Sequence, residues 1–323
     1  PHLAKHLQQA GYRTAMVGKW HLGEGPEHQP TGFDHWSVLP GQGDYFEPLF
    51  IGPEGAAREP GYVTDIITDK CLDWLGQGDD QPFFLMCHHK APHRNFAPHP
   101  KYRNLCADID LPVPETFDDD YATRSRAAHE ARMRVRTDFE YEDLGLAQPE
   151  GGAEVGPLHV EHRPGRKVPH PEDPRDLRLV DVNTGEVFTL ETQQELSRFK
   201  YLRYIRRYLQ CVASIDESVG RLLDDLEATG QAENTIVIYT SDQGFFLGEH
   251  GWFDKRYMYE ESLRMPFLMR YPAGLEAGGV VDDMICNVDF APTLLDYAGA
   301  PVPSYMQGRS FRGCLQGAAP EDW

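Results

Sequence analysis

The sequence predicts an α/β fold, a mainly parallel sheet sandwiched by helices. Two observations carry this. Short, continuously apolar runs (TAMVG, PFFLMCHH, TIVIYT and MPFLMRYP) alternate with stretches of helical periodicity. Strands that are apolar throughout belong in a sheet covered on both faces, and their alternation with helices favours parallel pairing. The length of 323 residues accommodates one large α/β domain or two small ones.

The elements follow in order. HLAKHLQQAG ends a helix, with Leu3 and Leu7 on one face and Gly11 suited to the position after its last turn. TAMVG is a short strand that delivers Lys19 and His21 at its end. GYVTDIITDKCLDWLGQG is an amphipathic helix, with Val63, Ile66, Ile67, Cys71, Trp74 and Leu75 at helical spacing. PFFLMCHH is a buried strand leading into the proline-rich loop KAPHRNFAPHP. FDDDYATRSRAAHEARMRVR reads as a charged, exposed helix. From about 118 to 190 the chain is a polar insertion: a solvated excursion, or a lid over a substrate cleft. RLVDVNTGEVFTL closes it as a hairpin around Asn183-Thr184-Gly185. A long helix runs from about Gln193 to Ala228, because Leu196, Phe199, Leu202, Ile205, Leu209, Val212, Ile215, Val219, Leu222 and Leu226 recur every three or four residues. Gly230 ends it. TIVIYT and MPFLMRYP are strands, and FAPTLLDYAG is a short helix ending at Gly299.

Composition narrows the function. Hydrophobic residues make up 40% of the chain, enough for a sizeable core, and the formal charge is −20. Such an acidic chain is a poor binder of nucleic acid or anionic membrane, so an anionic substrate needs locally concentrated positive charge. No apolar run reaches the ~18 residues of a membrane span. The six cysteines include no C-x-x-C pair, which argues against a zinc ribbon or redox motif.

In parallel sheets, ligands bind beyond the carboxyl ends of the strands. TAMVG leads to Lys19 and His21, PFFLMCHH to His93, and TIVIY to Asp242 and Gln243, with His250 and Lys255 further on. A carboxylate beside an amide carbonyl suits a hard cation such as Ca²⁺ or Mg²⁺. Lysines and histidines suit the oxygens of a tetrahedral oxyanion. At ~4 Å and an effective dielectric of ~20, each unit charge interacts by ~4 kcal/mol before desolvation. A histidine can carry the leaving-group proton near neutral pH.

These strings resemble those of a known family. GYRTAMVGKWHLG is similar to the second signature of the type I, formylglycine-dependent sulfatases of the alkaline phosphatase superfamily. TSDQGFFLGEHGWFDKRYMYEESLRMPFLMRYP resembles their metal-and-lysine region, and HHKAPHRN their middle histidine loop. PTGFDHWSVLPGQGDYFEP, HKAPHRN and FKYLRYIRRYLQCVASIDE look most like N-acetylglucosamine-6-sulfatases. The resemblance implies an alkaline phosphatase-like fold, incomplete at both ends, and hydrolysis of a sulfate ester on a sulfated sugar or glycan. It implies that Lys19 touches the nucleophile and the sulfate, and that His21 assists the nucleophile and sulfate release. His93 would bind the sulfate and protonate the leaving oxygen, and Lys255 would contact the sulfate from another side. Asp242 and Gln243 would ligate Ca²⁺ (or Mg²⁺), Arg94 would contact substrate, and His250 would either contact substrate or support the site residues from behind. Gln243 departs from the Asn or His common in the family, keeping a carbonyl donor but reaching one carbon further.

The family's nucleophile is a formylglycine made in a C-x-P-S-R-like motif. None of CLDWL, CHHKA, CADID, CVASI, CNVDF and CLQGA fits it. The expectation is therefore an internal segment of a sulfatase, inactive alone, whose formylglycine lies in a preceding N-terminal part and whose small C-terminal subdomain follows. A periplasmic or secreted location is expected from the family. Two other readings stay open: a phosphodiesterase or phosphonate monoester hydrolase of the same superfamily, and a non-catalytic carbohydrate-binding module.

Overall fold

The strand of residues 13–19 is buried without a break from Thr14 to Gly18, as its apolar run requires. Around it, the computed structural model describes residues 2–78, 80–147 and 173–323. Along the chain come α1 (Leu3–Gln9), β1 (Arg13–Lys19), β2 (His35–Leu39), β3 (Leu49–Gly52), β4 (Gly55–Arg58), α2 (Val63–Gly76) and β5 (Phe83–His88). Then follow α3 (Arg126–Glu130), β6 (Leu146–Ala147), β7 (Leu179–Asp181), β8 (Val187–Phe188) and α4 (Gln193–Ala228). The order closes with β9 (Val237–Thr240), β10 (Phe246–Leu247), β11 (Phe253–Asp254), α5 (Glu260–Leu263), β12 (Phe267–Arg270), α6 (Asn287–Tyr297) and α7 (Arg312–Leu315). Two compact units result. The first joins Pro1–Lys90, Ile215–Tyr239 and Leu268–Trp323; the second joins Ala91–Ser214 and Thr240–Phe267.

The first unit is built on a five-stranded sheet of order β4-β3-β2-β1-β5. β1 pairs parallel with both β2 and β5, with Val17 opposite Ser37 and Cys87. β3 and β4 add an antiparallel edge, which makes the sheet mixed rather than purely parallel. One face of β1 packs Ala15 against Trp74 and Leu75 of α2, with Phe83, Leu85 and Leu222 beside them. The other face packs Met16 against Trp36 and Val38. Burying a side chain of Val, Ile or Leu size contributes about 1.5–3 kcal/mol, so Val63, Ile67 and Leu75 hold α2 to the sheet. β9 pairs with β12 in a separate two-stranded sheet. β5 is half-buried rather than buried, because it forms an edge of the five-stranded sheet.

The second unit has an aromatic core. Phe139 stacks on Phe253 at 4.1 Å between ring centroids and is flanked by Phe96 and Tyr204, while Phe246 packs on Trp252. The expected charged helix over 117–136 is corrected here: only α3 is helical, and Tyr121, Ala128, Ala131, Met133 and Val135 are buried. Tyr121 lies against Trp252 at 5.7 Å, and Arg134 sits 4.8 Å over the Tyr121 ring. Aromatic packing outweighs the polarity of the string. Phe139, Tyr141, Leu144 and Leu146 are also fully buried, so this stretch is not solvated. Residues 148–172, part of the polar insertion expected over about 118 to 190, lie outside the described residues. The expected hairpin is present: β7 and β8 are antiparallel, and Gly185 takes a φ of 73° in the turn.

The bounds of α4 agree with its periodicity, but its buried face differs in part from the expected one. Over its first half, Leu202, Ile205 and Leu209 are only half-buried, whereas Lys200, Tyr201, Tyr204 and Gln210 are buried. These long polar side chains reach backbone carbonyls of the surrounding loops. Lys200 Nζ donates to Arg136 O and Phe139 O at 3.1 and 2.7 Å, and Tyr201 Oη to Pro112 O at 2.8 Å. Arg203 Nε donates to Leu144 O at 2.6 Å, Tyr204 Oη to Phe246 O at 2.8 Å and Arg207 Nε to Phe96 O at 2.7 Å. Gln210 Nε2 reaches Arg103 O and Leu105 O at 2.9 and 3.0 Å. Buried carbonyls need donors, and here one helix supplies them.

Candidate active site

Lys19 is the last residue of β1, at the carboxyl end of a strand with parallel neighbours on both sides. Gly18 makes that approach possible. Its φ is 107°, and a Cβ there would lie 2.0 Å from His88 O. His88 Nδ1 lies 3.3 Å from the Lys19 carbonyl, tying the ends of β1 and β5 together. His21 follows with a φ of 50° and an exposed ring. Gln42 Nε2 stands 3.1 and 3.4 Å from its two ring nitrogens. Lys90, in the same unit, is buried with its ammonium 4.6 Å over the Tyr45 ring.

The second unit holds His93, Arg94, Asp242, Gln243, His250 and Lys255. His93 follows β5, with Nδ1 in short hydrogen-bond contact with the Arg94 carbonyl. Arg94 is turned inward: Nη1 is 3.2 Å from Asp143 Oδ2, and the two side chains are 9% and 1% exposed. Asp242 is exposed and Gln243 half-buried just beyond β9. Gly244 lets the chain turn against α5, where a Cβ would lie 2.2 Å from Glu261 O.

β10 and β11 form a hairpin that presents His250 at its tip and Lys255 at its exit. Burial lowers the pKa of the Lys255 amine, the Asp254 and Asp242 carboxylates pull it back up, and Arg256 and Arg94 push it down again. The net direction is downward. The structure thus brings Lys255, Asp242 and Arg94 within electrostatic reach of one another. His250 is buried, with a φ of 56° and its ring among Phe246, Trp252 and Tyr259. Its Nδ1 lies 2.9 Å from Asp119 Oδ2 and 3.4 Å from Arg124 Nη2. Burial pushes the Asp119 carboxyl up, but hydrogen bonds from His250, the Tyr121 N–H and Arg124 outweigh it and hold the pKa at about 2.

Three groups escaped the sequence reading: Asp119, Asp143 and Lys200. Asp119 is 131 residues from His250 and Asp143 is 49 from Arg94, so no local pattern announces either. Asp242 and Gln243 offer oxygen atoms, the donor type a hard cation takes. Among the described residues, no cluster of three or more His, Cys, Asp or Glu is arranged to hold a metal. None of the described helices is long and apolar enough to cross a membrane.

Comparison with known proteins agrees with the fold. The Sulfatase family profile matches residues 1–300. The N-acetylglucosamine-6-O-sulfatase of Bacteroides thetaiotaomicron is 44% identical over 99% of this chain and 58% of its own length. The human N-acetylglucosamine-6-sulfatase is 26% identical over 97% of this chain and 49% of its own. A solved structure of BT4656 in complex with its substrate D-glucosamine-2-N,6-O-disulfate superposes at a TM-score of 0.81. It is 42% identical, covering 99% of this chain and 66% of that one. The phosphonate monoester hydrolase of Silicibacter pomeroyi shares the fold at a TM-score of 0.65 and 20% identity, covering 100% of this chain and 62% of that one. This chain therefore spans 58% of the length of the bacterial relative. The profile match, with that identity along nearly the whole chain, leaves one assignment: the chain belongs to the Sulfatase family.

Proposed function

We propose that the protein hydrolyses a sulfate ester, with a 6-O-sulfated glucosamine as the preferred substrate class. The observation that carries this is the 44% identity to an N-acetylglucosamine-6-O-sulfatase. The residues support it chemically. Lys19 and Lys255 supply positive charge for the sulfate oxygens, in a chain whose formal charge is −20. The lowered pKa of Lys255 is what an amine shows when burial keeps water away, and a bound anion favours its charged form.

His93 is assigned the leaving-group proton. A carbonyl only accepts, so the contact with Arg94 O places a hydrogen on Nδ1 and leaves Nε2 to carry the exchangeable one. His21, steadied by Gln42, is assigned to sulfate release. Arg94 and His250 are assigned to substrate in part only, since Asp143 and Asp119 already engage them.

A hard divalent cation, Ca²⁺ in this reading or Mg²⁺, takes six to eight or about six oxygens respectively. Asp242 and Gln243 fit its chemistry but supply only two residues of that shell, and when bound the ion would neutralise sulfate charge. No residue of this chain is assigned as the formylglycine nucleophile. Relatives named as extracellular sulfatases in Caenorhabditis elegans and Drosophila melanogaster support an exported, periplasmic or secreted protein.

The test is performed on the whole protein. Sulfate and phosphate esters of one leaving group are compared, alongside 6-O-sulfated glucosamine. Sulfate ester hydrolysis is expected to dominate, and Lys255→Ala to lower kcat/KM by about 10²–10³-fold, as loss of an oxyanion donor does. Faster phosphate or phosphonate ester hydrolysis would overturn the choice of reaction. Tight sugar binding without turnover would favour a carbohydrate-binding module.

A further inference from the structure

We propose that Asp143 is a positioning residue for His93, acting through Arg94. The inference rests on the reading that His93 handles the leaving-group proton. Its starting point is geometric: the acceptor for His93 Nδ1 is the carbonyl of the next residue, Arg94. Whatever fixes that carbonyl fixes the ring and its tautomer.

Arg94 is fixed by burial and charge. Its guanidinium donates to Asp143 Oδ2 at 3.2 Å and lies 5.9 Å from the centre of the Phe253 ring. Two residues further on, the Phe96 carbonyl accepts Arg207 Nε at 2.7 Å. The backbone after His93 is thus held by a side chain on one part of the second unit and by α4 on another.

Asp143 is itself placed from α4. It lies in the short turn Glu142–Leu144, whose Leu144 carbonyl accepts Arg203 Nε at 2.6 Å. Lys200 holds the preceding carbonyls of Arg136 and Phe139. The route runs from α4 to the 136–144 segment, to the Asp143 carboxylate, to Arg94, and to the His93 ring. Every link lies within the second unit. Removing one partner of a buried pair leaves an uncompensated charge that must find water. Without Asp143, this hold on the Arg94 guanidinium is lost, and the Arg94 carbonyl loses one of its restraints.

The experiment uses the full-length protein labelled with ¹⁵N-histidine, in wild-type and Asp143→Asn forms. Long-range ¹H–¹⁵N spectra report which ring nitrogen of His93 carries hydrogen, and a His93→Gln spectrum identifies the signals. Kinetics on a 6-O-sulfated glucosamine run in parallel. In the wild type, Nδ1 is expected to be protonated. In Asp143→Asn the two tautomers mix and kcat falls about 10–100-fold, the scale of an ångström-sized misplacement, with KM within about threefold. An unchanged His93 spectrum with kcat within about twofold of wild type would overturn the proposal.

If Asp143→Asn does not fold, Asp143→Glu is read in the same way, since it keeps the charge and Arg94 while moving the carboxylate by one carbon. If the wild type cleaves no sulfate ester, the functional reading falls. The tautomer measurement still decides the role of Asp143: mixing supports it, and an unchanged spectrum refutes it.

Discussion

Replacing Lys200 with Met should change how stability depends on pH. Lys200 is fully buried in α4, and its ammonium donates to two carbonyls. Burial lowers its pKa from 10.5 to about 7, against the opposing pull of Asp138 and Asp143. A lysine whose folded pKa lies below its unfolded value binds fewer protons when folded. Its destabilising effect is therefore full below about pH 7 and fades as pH rises toward 10.5. Between pH 6 and pH 9, a pKa of about 7 folded and 10.5 unfolded gives the wild type a gain of about 2–3 kcal/mol from this one group. Lys200→Met removes that gain. It also leaves the buried Phe139 carbonyl without that donor, at about 1–3 kcal/mol, and the part-buried Arg136 carbonyl at less. The variant should thus be clearly less stable than wild type at pH 9 and much closer to it at pH 6. Urea denaturation of both proteins at the two pH values measures this, and the difference of differences cancels the other titrating groups. A gap between the two proteins that is the same at pH 6 and pH 9 would show that Lys200 does not titrate in this window, and the argument from burial would be wrong.

Two further outcomes follow from geometry and charge. Gly244→Ala forces a methyl group to 2.2 Å from Glu261 O and 2.5 Å from Arg264 O, so a loss of more than about 3 kcal/mol is expected, read as a fall in Tm; an unchanged Tm would show that the turn after Gln243 has room to spare. Asp119→Asn should destabilise at pH 5 by more than at pH 3. The Asp119 carboxyl is held at about 2, so its stabilising effect is present above the unfolded value near 3.8 and lost as pH falls through about 2. Thermal melts across that range check this, and a constant difference would refute it.

Much of the fold was legible because periodicity reports burial directly. The bounds of α4, the strand ending at Lys19 and the hairpin around Gly185 all follow from spacing and turn chemistry. The β3–β4 edge was not read, since Gly55-Ala56-Ala57-Arg58 is exposed throughout and carries no apolar alternation. The buried face of α4 misled for a different reason. Lys200, Tyr201 and Gln210 look like surface residues until their backbone partners are known, and those partners lie 61 to 107 residues away. The candidate site was legible one residue at a time, because Lys19, His93 and Lys255 each stand at the exit of a recognisable strand or hairpin. Its supports were not. Asp143 and Asp119 belong to a stretch read as polar excursion, and only tertiary structure shows Asp143 buried beside Arg94 and Asp119 half-buried beside His250.

The row of donors along α4 has a consequence for how this molecule tolerates change. A backbone carbonyl is the same group whatever residue carries it, so the anchoring of the loops is blind to their composition. Residues at 103, 105, 109, 112 and 136 can drift in identity while the path of the chain is conserved. The helix has no such freedom. Shortening one of its arms releases a loop, and slipping its register by a single residue would unfasten several at once.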